Sequence, residues 1–399
     1  MRGSPTPVRR RSERIALALG VACAAALLVL GAILVGDRRA GDRFDLVRWE
    51  RNSLAGKWLF LLGAPLRDDP APDEAIARYF AAPADSAERA RLEAAVEAAL
   101  AGRIDAALRT RGLRGALAIP GSVFPPVNLE LTQPPRVLVE SPRSIIQRSR
   151  TTLLRADLLL ADAVEIERTR EAADPDRSAL VVASGGVAAY PAIVSSGASY
   201  GETVSTAAHE WTHHYLLLTP LGRHYFASRD ATTINETVAD IVGEEIGAEV
   251  IARWGDPTRP AAATRAVPSA TPSVPQPTPP QPTPPQRRGP DASAVLRDLR
   301  REVDAMLAAG QVTAAEARME AVRLQLWDGG YRIRRLNQAY FAWYGTYAAR
   351  PDAVDPLGGQ LREIRDRAGS LAAFVRIIQD VTSRAEVVAA LDRLRAMGG

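Results

Sequence analysis

With 399 residues, 47% of them hydrophobic, the chain is long enough to bury one substantial core or two modest ones. Its net charge of +4 is matched by residues 1–14 alone, where Arg2, Arg9, Arg10, Arg11 and Arg14 stand against Glu13. The rest is near neutral, so the charge that a nucleic-acid partner requires is missing and no nucleic acid is expected.

Ile15–Gly36 runs 22 residues without a charge. As a helix it reaches roughly 33 Å, the thickness of a bilayer's hydrocarbon core. The basic arm at residues 1–14 puts that end in the cytoplasm. The run is longer than the apolar core of a cleaved signal, so a transmembrane signal anchor is expected, with the remainder outside the cytoplasm in a bacterial cell envelope. Cys23, the single cysteine, lies within this run and excludes an intrachain disulfide or a thiolate metal site. Residues 43–64 mix aromatics with Arg and Lys, and read equally as an interfacial helix or as the start of the soluble fold.

Apolar spacing predicts helices over 73–82 and 85–113, closing an N-terminal helical region at 37–118. A central region of mixed strands and helices is expected at 119–256. In it 127–141 reads as two short strands split by Pro134-Pro135, 142–172 as a long helical stretch, and 178–194 as a pair of strands hinged at Gly185-Gly186. Residues 257–290 hold twelve of the 29 prolines and read as a disordered linker or insertion. Helical periodicity returns over 291–326 and 331–349, and the tail 355–396 carries two or three more helices. The expected fold is α+β and mainly helical, with a C-terminal helical part (291–399) completing the central unit.

All four histidines lie within sixteen positions, and two of them stand in "HEWTH", His209 to His213. Four residues apart on a helix, two imidazoles leave one face one turn apart and can hold one divalent ion. Glu210, beside the first of them, is placed to take a proton from a water on that ion. The segment 233–247, "TINETVADIVGEEIG", is a second helix offering Glu236 as a third ligand. Asp240, one turn on, can receive the other N–H of a ligand histidine. His214 points about 100° away from His213 and is assigned no metal role. His224 lies in the intervening loop, and Glu244 and Glu245 compete less well because Asn235 and Asp240 are in register with Glu236 alone.

His209-Glu210-x-x-His213 followed by Asn235-Glu236-x-x-x-Asp240 resembles the gluzincin metallopeptidases. The resemblance covers roughly residues 178–250. It implies a zincin-like domain with one Zn2+ held by His209, His213 and Glu236, Glu210 as general base, Asp240 and Asn235 behind the ligands, and a peptide or protein as substrate. The metzincin pattern is absent, because Leu216 and Thr219 stand where it requires Gly and His. The stretch 334–349 also resembles an element of bacterial predicted membrane-attached aminopeptidases, which would make the Pro-rich segment an insertion in one unit. Gluzincins commonly stabilise the oxyanion with a Tyr or His from their C-terminal half, and Tyr347 is the first choice here, before Tyr344 and Tyr340. The strand around 187–194 offers an edge to an extended peptide. Two other readings stay open: a zincin-fold envelope scaffold without activity, and a zinc hydrolase of a non-peptide amide.

Overall fold

The computed structural model describes residues 41–50, 53, 72–115, 118, 121–259, 291–345 and 355–397. The anchor at 15–36, most of the Pro-rich segment and Tyr347 lie outside the described residues. Among the described residues no helix is long and apolar enough to cross a membrane.

The architecture is mainly helical with two small sheets, an α+β fold as the patterning implies. Helices α1 (Asp73–Ala81) and α2 (Ala87–Thr110) come first, then β1 (Leu129–Thr132), β2 (Arg136–Pro142) and β3 (Arg150–Leu154). Next are α3 (Leu160–Ala173), β4 (Arg177–Ala183), β5 (Gly186–Val187) and β6 (Ala192–Ser195). The central helices are α4 (Tyr200–Leu216), the short α5 (Pro220–Arg223) and α6 (Arg229–Trp254). After the Pro-rich segment follow α7 (Ala292–Ala308), α8 (Val312–Asp328), α9 (Gln338–Tyr344), α10 (Pro356–Arg367), α11 (Leu371–Ile378) and α12 (Arg384–Met397).

One sheet is antiparallel in the order β3–β2–β4, and the other runs β1–β6–β5 with β1 and β6 parallel. One expectation needs correction here. The stretch 142–172 is not one helix: its first half is a loop and β3, whose β-branched Thr151 and Thr152 pair with the open edge of β2. The strands expected over 178–194 are present on either side of Gly185-Gly186 but belong to different sheets, because β4 joins β2 while β6 joins β1. Residues 42–44 run beside β3, where Phe44 N–H donates to Leu153 O at 3.0 Å and Arg155 N–H to Asp42 O at 2.8 Å.

The main core is built by α1, α2, β1, β6, α4, α6 and the three last helices. Its centre is the contact between α4 and α6, where Val204, Ala208 and Trp211 meet Ile234, Val238 and Val242. Two glycines on α6 permit close approach. A Cβ on Gly243 would stand 2.7 Å from Ser205 O and 3.1 Å from His209 Cβ, and one on Gly247 would strike the Ser205 side chain. Helix α4 starts where it does because Ser199 and Glu202 form a reciprocal cap. The β3–β2–β4 sheet is covered by α3 on one face and by α9 on the other.

Candidate metal centre

The elements above bring His209 and His213 of α4 against Glu236 of α6. The two Nε2 atoms are 3.0 Å apart, and Glu236 Oε2 lies 3.6 Å from the first and 3.7 Å from the second. Ligand atoms around a four-coordinate zinc with bonds of about 2.0–2.1 Å are separated by roughly 3.3–3.4 Å, so this triangle has the right size. Its orientation is equally informative. His209 Nδ1 donates to Asp240 Oδ1 at 3.0 Å and His213 Nδ1 to Asn235 Oδ1 at 2.8 Å. With both Nδ1 atoms donating outward, neutral imidazoles would leave both Nε2 lone pairs facing the shared point. Asp240 and Asn235 thus stand where the sequence placed them, one behind each imidazole.

Glu210 has a carboxylate oxygen within 4.8 Å of the imidazole nitrogens, so it is a rival third ligand. The geometry favours Glu236, which reaches both Nε2 atoms with a single oxygen. Glu210 Oε1 is turned instead toward β5, where a Cβ on Gly186 would stand only 2.6 Å from it. The absent side chain at Gly186 makes room for the carboxylate. His209, Glu210 and His213 therefore form a group compatible with a metal ion, and Glu236 Oε2 lies beside both imidazoles.

The electrostatics of the cation-free group follow from burial. Burial pushes the Glu210 carboxyl up to about 7, with nearby Glu236 and Asp240 adding to it and His209 opposing. Burial also opposes ionisation of Glu236, but His213, His209 and Arg148 outweigh it and hold the carboxyl down at about 2. His209 is raised although burial works against its charged form, because Asp240 and Glu236 accept from it. His213 is lowered, mainly by burial. Three carboxylates around two imidazoles make a place that favours positive charge.

A cleft of about 270 Å³ opens on this group. It is lined by Ala183–Gly186, by His209, Glu210 and Asp240, and by Trp343 and Tyr344 of α9. The segment after the Pro-rich stretch is thus part of the site. It is docked on β4 by polar contacts: Asn337 Nδ2 donates to Ala179 O at 3.1 Å and Ala339 N–H to Ser178 Oγ at 3.0 Å. Arg335 makes paired bonds to Glu171 at 2.7 and 2.8 Å. Of the three tyrosines proposed there, Tyr344 lines the cleft, and Tyr340 packs on it with ring centroids 4.5 Å apart.

Other residues fall outside the group. His214 is turned away and packs on Tyr190, where burial lowers it to about 4. His224 is exposed, its Nδ1 donating to Pro220 O at 2.8 Å. Glu244 and Glu245 are engaged by Arg362 and Arg365, the latter at 2.6 Å. Sequence reasoning missed Tyr225, next to His224: its hydroxyl donates to Glu236 Oε1, and its ring meets His213 edge-on. It also missed Arg148, whose Nη2 is 3.5 Å from Tyr225 Oη and whose guanidinium lies over the Trp343 ring at 5.8 Å. Nothing in the local pattern marks Arg148, which reaches the site only through the turn between β2 and β3. Compared with known proteins, the chain matches no family model, no curated protein and no solved structure.

Proposed function

We propose that the chain is a zinc-dependent metallopeptidase of gluzincin type, with His209, His213 and Glu236 as ligands and Glu210 as general base. The observation that carries this reading is the orientation of the two imidazoles: Asp240 and Asn235 bind their Nδ1 atoms, so both Nε2 atoms aim at the point that Glu236 Oε2 also faces. A bound Zn2+ would acidify its water and polarise the scissile carbonyl. Glu210 takes the proton of the attacking water and returns it to the leaving amine. Among the described strands β5 is paired on one side only, by β6, which leaves its other edge for the backbone of an extended peptide. The apolar run at 15–36 supports membrane anchoring, with the site outside the cytoplasm.

The test is zinc content together with peptide turnover. The purified protein should carry about one zinc, and Glu210→Gln should keep it while losing about 10³-fold in turnover. A protein that binds no zinc would sink the proposal. Zinc bound without turnover of any peptide would favour the scaffold reading, and turnover confined to non-peptide amides the third one.

A further inference from the structure

A second cavity of about 500 Å³ is lined by Arg148, the residue that touches Tyr225. Among the described residues, Arg148 and Arg150 of the β2–β3 hairpin, Arg229 of the first turn of α6 and Arg300 of α7 line it, and no Asp or Glu does. Guanidiniums from three separate elements repel one another, and gathering them is costly unless an anion shares the space. Carboxylates outside the cavity answer part of that charge: Arg148 helps hold Glu236 ionised and Arg229 acts on Asp355. Arg300, only 8% exposed, is bound by Asp304 at 2.8 Å from outside the cavity. Arg150 and Arg229 form no ion pair with another described residue.

The adjoining cavity of about 420 Å³ shows the contrast: there Arg384 is neutralised by Asp355 through bonds of 2.7 and 2.8 Å. The rest of the arginine-lined wall suits a peptide. Thr232, Thr233 and Ser149 bring hydroxyls, Phe341 is buried behind them, and Phe226 stands 93% exposed at the rim. The cavity also begins one side chain from the metal centre, since Arg148 touches Tyr225 and Tyr225 touches Glu236. One extended residue covers about 3.3–3.6 Å, so a separation of one side chain is within the span of a few residues of peptide.

We propose that this cavity binds a carboxylate of the peptide substrate close to the scissile bond, with Arg148 as the innermost contact and Arg150 and Arg229 completing the cradle. The proposal rests on the metallopeptidase reading for its substrate, and its binding test does not depend on turnover. Guanidinium forks match carboxylate geometry, which gives the preference for an acid over the amide of the same shape.

The experiment uses the full chain carrying Glu210→Gln and labelled peptides of one sequence. One has a free C-terminus, one is C-terminally amidated, and a set of amidated peptides carries a single Asp at each position in turn. The amidated parent should bind about tenfold more weakly than the best carboxylate form. That ratio should shrink as salt rises from low to high concentration. In Arg150→Gln/Arg229→Gln, two exposed positions, the ratio should fall toward one, and Arg148→Gln should lower it too. A gain limited to the free C-terminus assigns the cradle to the α-carboxylate, whereas a gain limited to the Asp scan assigns it to an acidic side chain. Equal binding of acids and amides, or a ratio unchanged in both variants, would overturn the proposal. Active protein lacking the preference would leave the peptidase reading standing and remove this one. A preference without any turnover would do the reverse.

Discussion

The contact of α4 with α6 and the docking of α9 on the β3–β2–β4 sheet both bury polar side chains, but to different ends. Under α9 the polar groups satisfy one another: Asn337 with the β4 backbone, Arg335 with Glu171, Arg334 with Glu167. Between α4 and α6 they converge instead, with two nitrogens and an oxygen aimed at one point and their outer atoms tied back by Asp240 and Asn235. A self-satisfied polar contact stabilises an interface, whereas a convergent one gives up stability and gains affinity for a cation. The variants below separate the two.

The largest effect is expected from crowding the convergent contact. Gly243→Val places new atoms against Ser205 O and His209 Cβ, already 2.7 and 3.1 Å from a built Cβ. It should cost about 3 kcal/mol of unfolding free energy and, by tilting His209, most of the bound zinc. Stability retained with full zinc content would mean that the helices separate without moving the ligands.

Next is the pH dependence of the zinc-free protein. Glu210 holds its proton up to about 7, above the unfolded carboxyl at 4.5. Between those values the folded state binds the extra proton, so this group lowers stability as pH rises from 4.5 to 7, by at most about 3 kcal/mol. Glu210→Gln in the presence of a chelator should remove that fall, and denaturant titrations at several pH values would show it. Equal slopes for the two proteins would mean that Glu210 is solvated when zinc is absent.

A smaller effect is expected behind the ligands. Asp240→Ala frees the His209 Nδ1 proton and should weaken zinc binding about 10–100-fold, measured by competition with a chromophoric chelator. The smallest belongs to the self-satisfied contact. Asn337→Ala removes the cap of α9 and its bond to Ala179 and should lower stability by about 1 kcal/mol, leaving zinc affinity unchanged. Zinc lost with that change would make α9 part of the metal centre rather than a wall of its cleft.

Much of this site was legible in one dimension because its geometry is helical. A spacing of four residues sets two imidazoles on one face whatever surrounds them, and the same rule carries Asp240 one turn beyond Glu236. The two sheets were harder to read. Strand pairing between β1 and β6 joins residues more than sixty positions apart, and β3 looks helical until β2 offers it an edge. Tyr225 was hidden for another reason: its role depends on where a loop folds back, and no periodicity describes that.

By itself the sequence determined which side chains share a helix face, where α4 is capped, and that the charge after residue 14 sums to nearly zero. Tertiary structure alone decided that Glu236 meets the histidines, that Gly186 yields space to Glu210, and that four arginines line one cavity beside Tyr225. The physical reason is range. Helix periodicity and capping are local and are written in consecutive residues, whereas close packing and electrostatic clustering depend on which distant segments the core brings together.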